Sequence, residues 1–256
     1  MKYLITGGTG FLGQALVNHL LKRDDVEEVR IYARDEFKES EMARKIIDKR
    51  VIYWLGDVRD LERLKEACQN VDIIIHAAAM KRMDQWPHNT FEVADVNILG
   101  TQNVVLAADK SCKKIIFVST DKAYAPSCVY GASKLIAEKI VLAHPRGIVH
   151  RFGNFIGSRG SVFEIFKEQK EQGVPLTITD PTATRFVIEI DKVVDYLLSD
   201  VPPGLHYPKD LKSMTVLEIA ESIAPGAKHI IKKFREREGE KKHESFDENY
   251  SSEKHV

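Results

Sequence analysis

Strand and helix patterns alternate over the first two-thirds of this chain. They predict an α/β fold, a Rossmann-like doubly wound parallel sheet with a small C-terminal substrate-binding lobe. Three observations carry that expectation. Short β-branched apolar runs recur along the chain, amphipathic stretches separate them, and a glycine-rich turn directly follows the first run. Short runs apolar on both faces are what buried parallel strands require, because helices cover both sides of such a sheet.

The elements follow in order. Tyr3-Leu4-Ile5 is the first strand, and the turn Thr6-Gly7-Gly8-Thr9-Gly10-Phe11-Leu12-Gly13 opens a helix over about 11–22. Val29 to Tyr32, Val51 to Tyr53, Val71 to Ile75, Lys114 to Val118 and Ile148-Val149 read as further strands. Helical patterns at about 38–48, 60–68, 86–109 and 130–143 lie between them. Residues 1–152 form the expected dinucleotide-binding domain, which also carries the candidate catalytic residues. Residues 153–256 form mainly the substrate lobe, partly returning to the core. In that lobe a Gly-rich loop leads to a helix at about 161–172. A strand near Leu176-Thr177-Ile178, a helix at about 190–198 and a turn at Pro202-Pro203-Gly204 follow, and Ser213 or Thr215 caps a helix running to about Ile223. From Lys232 to Val256, 14 of 25 residues are charged, so this tail is expected to need a ligand or partner for order, or to stay mobile.

Bulk properties exclude several classes. The 256 residues are 43% hydrophobic and 30% charged with zero formal net charge, so no global field attracts nucleic acid or an anionic membrane. No apolar run reaches the ~20 residues of a membrane span. The first strand begins at once, which leaves no room for a signal peptide. Cys68, Cys112 and Cys128 form an odd set without metal or redox spacing. Reduced thiols in a cytoplasmic protein are expected. The nine histidines show no ligand spacing, so no metal is expected.

The glycine-rich turn gains meaning from the strand before it and the βαβ unit after it. Gly7 and Gly10 let the backbone approach a pyrophosphate, which the amides of the helix N-terminus then face; Thr9, Phe11 and Leu12 complete the set of expected cofactor contacts. At the end of the second strand, Arg34 precedes Asp35, with Lys38 nearby. An arginine there accommodates a 2′-phosphate, so NADP is expected rather than NAD. Asp57 and Val58 suit the adenine pocket. Ala77, Ala78 and Ala79 are small enough for close approach to the cofactor, while His76 reads as structural.

The chemistry concentrates after the fifth strand. Tyr130 and Lys134 stand one helical turn apart on one face. Such a lysine lowers the phenol's pKa, so that the phenolate takes a hydroxyl proton as hydride leaves the same carbon. The adjacent Asp121 and Lys122 exceed what a plain dehydrogenase needs. An acid and a base beside a new ketone suit loss of water. A lysine base must be neutral, which burial and neighbouring cations favour, and a carboxylic acid donor needs the opposite shift.

The segments TGGTGFLG, GDVRD, HAAAMK, NILGT, STDKA, YGASK, RFGNFIGSRGS, ITDPTATRF and REGEKKHE together resemble the extended short-chain dehydrogenase/reductase superfamily. Within it they resemble the inverting UDP-N-acetylglucosamine 4,6-dehydratases, from Met1 to about Glu244. The resemblance implies transient oxidation at carbon 4, elimination of water across carbons 5 and 6, and reduction at carbon 6. The product would be UDP-2-acetamido-2,6-dideoxy-beta-L-arabino-hex-4-ulose. Tyr130, supported by Lys134 and Thr120, would serve the oxidation, Lys122 would be the base and Asp121 the acid. It further implies that Lys81, Asn154, Arg159, Arg185, Arg237 and Glu240 contact the nucleotide sugar. Lys81 and Asn97 are also expected at the cofactor, Asn97 as a brace of the active-site backbone. A homo-oligomer, dimer or higher, is implied as well. Glu238 and Lys242 depart from the family pattern. Two other readings stay open: a nucleotide-sugar 4-epimerase, which needs Tyr130 and Lys134 but no elimination pair, and a non-catalytic NADP-binding protein.

Overall fold

The computed structural model describes residues 1–81, 88–158, 160–231 and 240–255. Its first half follows the βα rhythm: β1 (Lys2–Thr6), α1 (Phe11–Leu20), β2 (Glu28–Ala33), α2 (Glu36–Lys45), β3 (Val51–Leu55), α3 (Leu61–Cys68) and β4 (Ile73–His76). A helical stretch follows as α4 (Thr90–Ala94), a π-helical turn at Asp95–Leu99, and α5 (Gly100–Ala107). Next come β5 (Lys114–Thr120), a 3-10 turn at Asp121–Ala123, α6 (Val129–Leu142) and β6 (Gly147–Phe152). The remainder holds β7 (Asn154–Phe155), α7 (Val162–Glu171), β8 (Leu176–Ile178), β9 (Thr184–Ile188), α8 (Ile190–Leu198), β10 (Gly204–His206), β11 (Ser213–Thr215), α9 (Val216–Ile223) and β12 (His229–Ile231).

Seven strands form one parallel sheet in the order β10-β6-β5-β4-β1-β2-β3. The order reverses between β1 and β4, and the crevice beyond their carboxyl ends is where such sheets bind ligands. Successive side chains explain the apolar runs. Tyr3 and Ile5 join one core with Leu16, Val17 and Ile31, while Leu4 joins the opposite core with Ile74, Val104 and Ile115. Gly7 makes the first turn possible. Its φ is +68°, and a Cβ there would lie 2.9 Å from the backbone of Ala78.

Beyond β6 the chain does not form one separate unit. β10 adds to β6 as the seventh strand, and α8 packs on α1. Gly204 thus begins a strand where the sequence suggested only a turn. A three-stranded sheet (β11-β9-β7) and the pair β12-β8 make up the rest. Phe163, Phe166, Ile178 and Ile219 supply the core beside them. These strands are two to five residues long, too short for their periodicity to stand out in sequence. Asp35 explains the early start of α2: its carboxylate caps the helix by accepting from the Lys38 amide.

Of the charged tail, residues 240–255 are described, and they pack on the main body as a strap. Phe246 is fully buried against Phe186 and stacks on Tyr207 with ring centroids 5.1 Å apart, while Tyr250 stacks on Phe186. The Thr184 amide donates to the Lys242 carbonyl, the Ser252 amide donates to the Glu244 carbonyl, and the Glu244 amide donates to the Ser252 hydroxyl. Charge count hides these few aromatic anchors, which supply the apolar burial that the strap needs. Phe246→Ala should cost about 3–5 kcal/mol of stability. Urea unfolding of the whole chain measures it, and a loss below about 1 kcal/mol would show that the strap is not anchored there.

Candidate active site

β5 delivers the site. Its last residues, Ser119 and Thr120, reach the carboxyl edge of the sheet, and the 3-10 turn places Asp121 and Lys122 immediately beyond. The loop then bends through Ala125 at φ +40°, a left-handed conformation that alanine rarely adopts. Helix α6 begins against this loop. A Cβ on Gly131 would lie 2.3 Å from the Lys122 carbonyl oxygen, so the helix carrying Tyr130 and Lys134 sits directly on the Asp-Lys turn.

Asp121 is fully buried. Its Oδ1 accepts from the Thr120 hydroxyl at 3.0 Å and from the Lys122 ammonium at 3.0 Å, and its Oδ2 has no hydrogen-bond partner. Lys122 points inward, with only 18% of its side chain exposed. A second carboxylate faces it: Glu244 Oε1 lies 3.3 Å from the ammonium. Burial raises the Asp121 pKa, Lys122 opposes the rise and Glu244 adds to it, and the net shift favours the protonated acid. The expected shift of Lys122 is overturned. Burial pulls its pKa down, but Asp121 and Glu244 outweigh burial and hold it above the ordinary lysine value. A neutral lysine needs burial and neighbouring cations to prevail; here Arg185 helps burial, but the two carboxylates outweigh both.

Tyr130 and Lys134 also differ from expectation. Lys134 is buried and spends its ammonium on the Val118 carbonyl at 2.7 Å, 3.9 Å above the centre of the Phe117 ring. Burial pulls its pKa down to about 7, with Glu138 opposing. The cation whose charge lowers the phenol's pKa is Lys122. Burial pushes the Tyr130 pKa up to about 12; Lys122 lowers it, Asp121 raises it, and hydrogen bonding to Thr120 lowers it. Behind them, Arg151 forms a two-pronged pair with Glu138 at 2.8 and 2.6 Å, and Glu138 also accepts from Ser119. Arg151 donates in addition to the Phe246 carbonyl, which ties α6, β5 and β6 to the strap.

At the first turn, Gly10 is the N-cap of α1 and no side chain caps that helix, so its first amides face the crevice rather than a capping group. Leu12 is buried, whereas Phe11 is exposed beside Gly157. Thr9 is buried, and its carbonyl accepts from Gln14. Ala77, Ala78 and Ala79 are half-buried next to the turn. Arg34 is exposed and lies 3.6 Å from Asp57, while Asp35 is paired with Lys38. Asp57 holds Arg59 through both carboxylate oxygens, so its side chain is engaged within the protein. Val58 is buried. His76 bridges the Thr6 and Thr101 hydroxyls, and burial, aided by Lys134, pulls its pKa down to about 3. Asn97 sits in the π-helical turn and is buried. Its amide exchanges hydrogen bonds with the backbone of Met80 and donates to Ser133, which leaves no side-chain group free for a cofactor.

On the other side of the crevice, Lys81 is exposed to water, yet the protein around it lowers its pKa, with Glu164 opposing. Asn154 lies half-buried on β7. Arg185 is buried and already committed to the Thr184 and Lys242 carbonyls and to Glu240 at 2.8 Å. The fork expected to grip a ligand is thus an internal clasp between β9 and the strap. Arg159 and Arg237 lie outside the described residues. Two groups that the sequence reading did not assign are present: Glu244, and Lys241, which donates to the Tyr124 carbonyl and lies 3.7 Å from Glu244. They stand more than a hundred residues from Lys122 in sequence, and only the REGEKKHE segment marked their neighbourhood.

A seven-stranded parallel sheet of this order, with a tyrosine-lysine helix leaving its fifth strand, defines the extended short-chain dehydrogenase/reductase class. Within that class the chain belongs to the polysaccharide biosynthesis protein family, whose family model matches residues 3–256. A UDP-N-acetylglucosamine 4,6-dehydratase (inverting) of Campylobacter jejuni is 40% identical over 254 residues, covering 94% of this chain and 75% of that protein. A UDP-glucose 4-epimerase of Rickettsia akari is 36% identical over 260 residues, covering 95% and 76%. The crystal structure of Pen from Bacillus thuringiensis superposes with a TM-score of 0.87 at 28% identity, over 96% of this chain and 83% of that one. Among the described residues no helix is long and apolar enough to cross a membrane.

Two measurements test the buried charges. Glu138→Ala leaves the Arg151 guanidinium uncompensated and should destabilise the fold by about 3–5 kcal/mol in chemical denaturation. Lys134 binds its proton less tightly folded, with a pKa of about 7, than unfolded, at 10.5. Its contribution to stability therefore rises with pH across that window and is flat below it. The stability of the unaltered protein relative to Lys134→Met should climb between pH 7 and 9.5; a constant difference would show that Lys134 is not held in this way.

Proposed function

We propose that this chain is an NADP-dependent UDP-N-acetylglucosamine 4,6-dehydratase that inverts carbon 5. The observation that carries the reading is the buried Asp121-Lys122 pair beside Tyr130 at the carboxyl end of β5. Oxidation at carbon 4 alone needs only the tyrosine-lysine helix. An acid whose burial raises its pKa and an amine within the same pocket suit the removal of a carbon-bound proton and a hydroxyl from adjacent carbons. The Campylobacter relative carries that activity in its name.

The crevice residues fit a dinucleotide. The tight Gly7 turn and the uncapped amides of α1 would hold its pyrophosphate, with Thr9, Gly10 and the small side chains Ala77 to Ala79 alongside. A nicotinamide bound there supplies hydride uptake and return. Arg34, exposed at the end of β2, suits a 2′-phosphate, while Asp35 is engaged by its cap and by Lys38. In the reaction, Tyr130 takes the proton of the 4-hydroxyl as its phenolate, the form that the Lys122 charge and the Thr120 hydrogen bond favour. Lys122 removes the carbon 5 proton, which the new ketone has made acidic, and Asp121 protonates the departing 6-hydroxyl. The family pattern supplies Arg185, Glu240, Asn154, Lys81, Arg159 and Arg237 for the UDP end, and Arg185 and Glu240 would have to open their mutual clasp to reach it. Leu99 on the π-helical turn, Leu106 on α5 and Ile136 on α6 are exposed apolar side chains and support a homodimer, which light scattering would detect. The protein would work in the cytoplasm, where its three free cysteines stay reduced.

The Rickettsia relative favours a second reading, a 4-epimerase that uses Tyr130 and Lys134 without elimination. Incubation with UDP-N-acetylglucosamine and NADP in deuterated water, followed by mass spectrometry and proton NMR, separates the two. A product lighter by one water, deuterated at carbon 5 and of L-arabino configuration, is expected. A product of unchanged mass epimerised at carbon 4 would favour the epimerase, and an unchanged sugar nucleotide would sink both. Arg34→Ala should weaken NADP binding about tenfold, with NAD binding unchanged; equal loss for both would remove Arg34 from the 2′-phosphate site.

A further inference from the structure

We propose that the cavity between α8 and β10 is a ligand site separate from the crevice, suited to a small neutral heteroaromatic ring and set against the strap. It does not depend on the reaction proposed above. The cavity measures about 320 Å³, at the small end of ligand pockets, and lies at the β10 edge of the main sheet. His150 on β6 and His206 on β10 line it. They are partners in the parallel register, and their ring centroids lie 5.5 Å apart. Asp195, Tyr196 and Ser199 of α8 and Tyr207 after β10 form the facing walls. His150 is only 1% exposed, and neither of its ring nitrogens has a hydrogen-bond partner. Leaving both nitrogens of a buried imidazole idle is unfavourable, so a ligand that supplies a partner gains affinity by doing so.

The lining sets the chemistry of the ligand. Burial, aided by His206, pulls the His150 pKa down to about 4, so the ring is neutral and offers one donor and one acceptor. His206 donates from Nε2 to the Pro202 carbonyl at 2.9 Å, which leaves Nδ1 of its neutral form as an acceptor. The Tyr196 and Tyr207 hydroxyls are taken by Asp210 and Asp247, and the Ser199 hydroxyl donates to the Tyr196 carbonyl. These tyrosines therefore present rings rather than free hydroxyls. Asp195 is exposed and keeps its hydration. An ion seated against His150 would lose its own hydration without a counter-charge, and a hydrocarbon would leave the imidazole nitrogens unpaired. A planar azole with an N–H and a ring nitrogen pairs with the imidazoles and lies against the aromatic walls. The half-buried His206 ring turns aside to admit it. The same walls touch the strap. Tyr207 stacks on Phe246 and donates to Asp247, and Arg151, next to His150 on β6, donates to the Phe246 carbonyl. A ring that fills the cavity holds Tyr207 in place and steadies the strap, which carries Glu244 to Lys122.

Benzimidazole, uncharged at neutral pH, is the probe. Titration calorimetry on the full chain should give a dissociation constant of about 0.1–1 mM. His150→Phe keeps a ring without nitrogens and should weaken binding about tenfold or more, while Ser199→Trp should block the cavity. Indene, the same fused frame without nitrogen, should bind the unaltered protein about tenfold more weakly than benzimidazole, an arm that needs no variant to fold. With benzimidazole bound, amide exchange within residues 240–255 should slow about threefold or more by mass spectrometry. No binding up to about 10 mM would leave the cavity to buried water and overturn the site. Equal binding by His150→Phe, or of indene, would overturn it as well. Unchanged exchange at saturation would overturn its tie to the strap.

Discussion

A lysine ammonium buried between two carboxylates is the constraint around which this molecule is arranged. Lys122 belongs to a three-residue turn at the end of β5, and Glu244 belongs to a strap more than a hundred residues later. Neither carboxylate alone neutralises the buried environment. Asp121 is pushed toward its protonated form, so the second charge is what makes the burial of the ammonium tolerable. The site is therefore complete only where the strap is in place. The aromatic anchors that hold the strap, Phe246 and Tyr250 against Phe186, belong to the chemistry as much as to the core.

The same logic runs through the helix behind the turn. Glu138 on α6 holds Arg151 on β6, and Arg151 reaches the Phe246 carbonyl in the strap. Asn97 ties the backbone after β4 to Ser133 on α6. Each brace is a buried polar group with its hydrogen-bonding capacity used, which gives rigidity because any displacement strands a desolvated donor or acceptor. The mobile-loop character usual for catalytic residues is thereby suppressed on one side of the crevice.

Much of this was legible in the sequence. The six β-branched runs give the strands of the main sheet because both faces of each are buried, which leaves little ambiguity in an apolar run. The Gly7 turn, Asp121-Lys122 and the Tyr130-Lys134 spacing are local patterns, and local patterns survive the reading of a chain from end to end. What stayed hidden is what depends on distance. Gly204 begins a seventh strand only because β6 offers it an edge. The sign of the Lys122 shift depends on a residue that no neighbour in sequence announces. The aromatic anchors of the tail went unread because composition counts charges, whereas packing depends on where a few aromatic rings fall. Lys134 was expected beside the phenol because one helical turn separates them, but its length lets it reach the Val118 carbonyl on the strand below instead.

The π-helical turn at Asp95–Leu99 has its own consequence. One extra residue per turn shifts the angular phase of everything after it, so α4 and α5 present different faces although they share an axis. α4 packs on α6, while α5 packs on both α3 and α6. The widened turn is where Asn97 finds room to reach the Met80 backbone and the Ser133 hydroxyl at once. Shortening this stretch by a single residue would restore an ordinary helix and swing the amide by about a quarter turn or more, so an apparently regular repair of the backbone would disconnect the two layers that meet at the crevice.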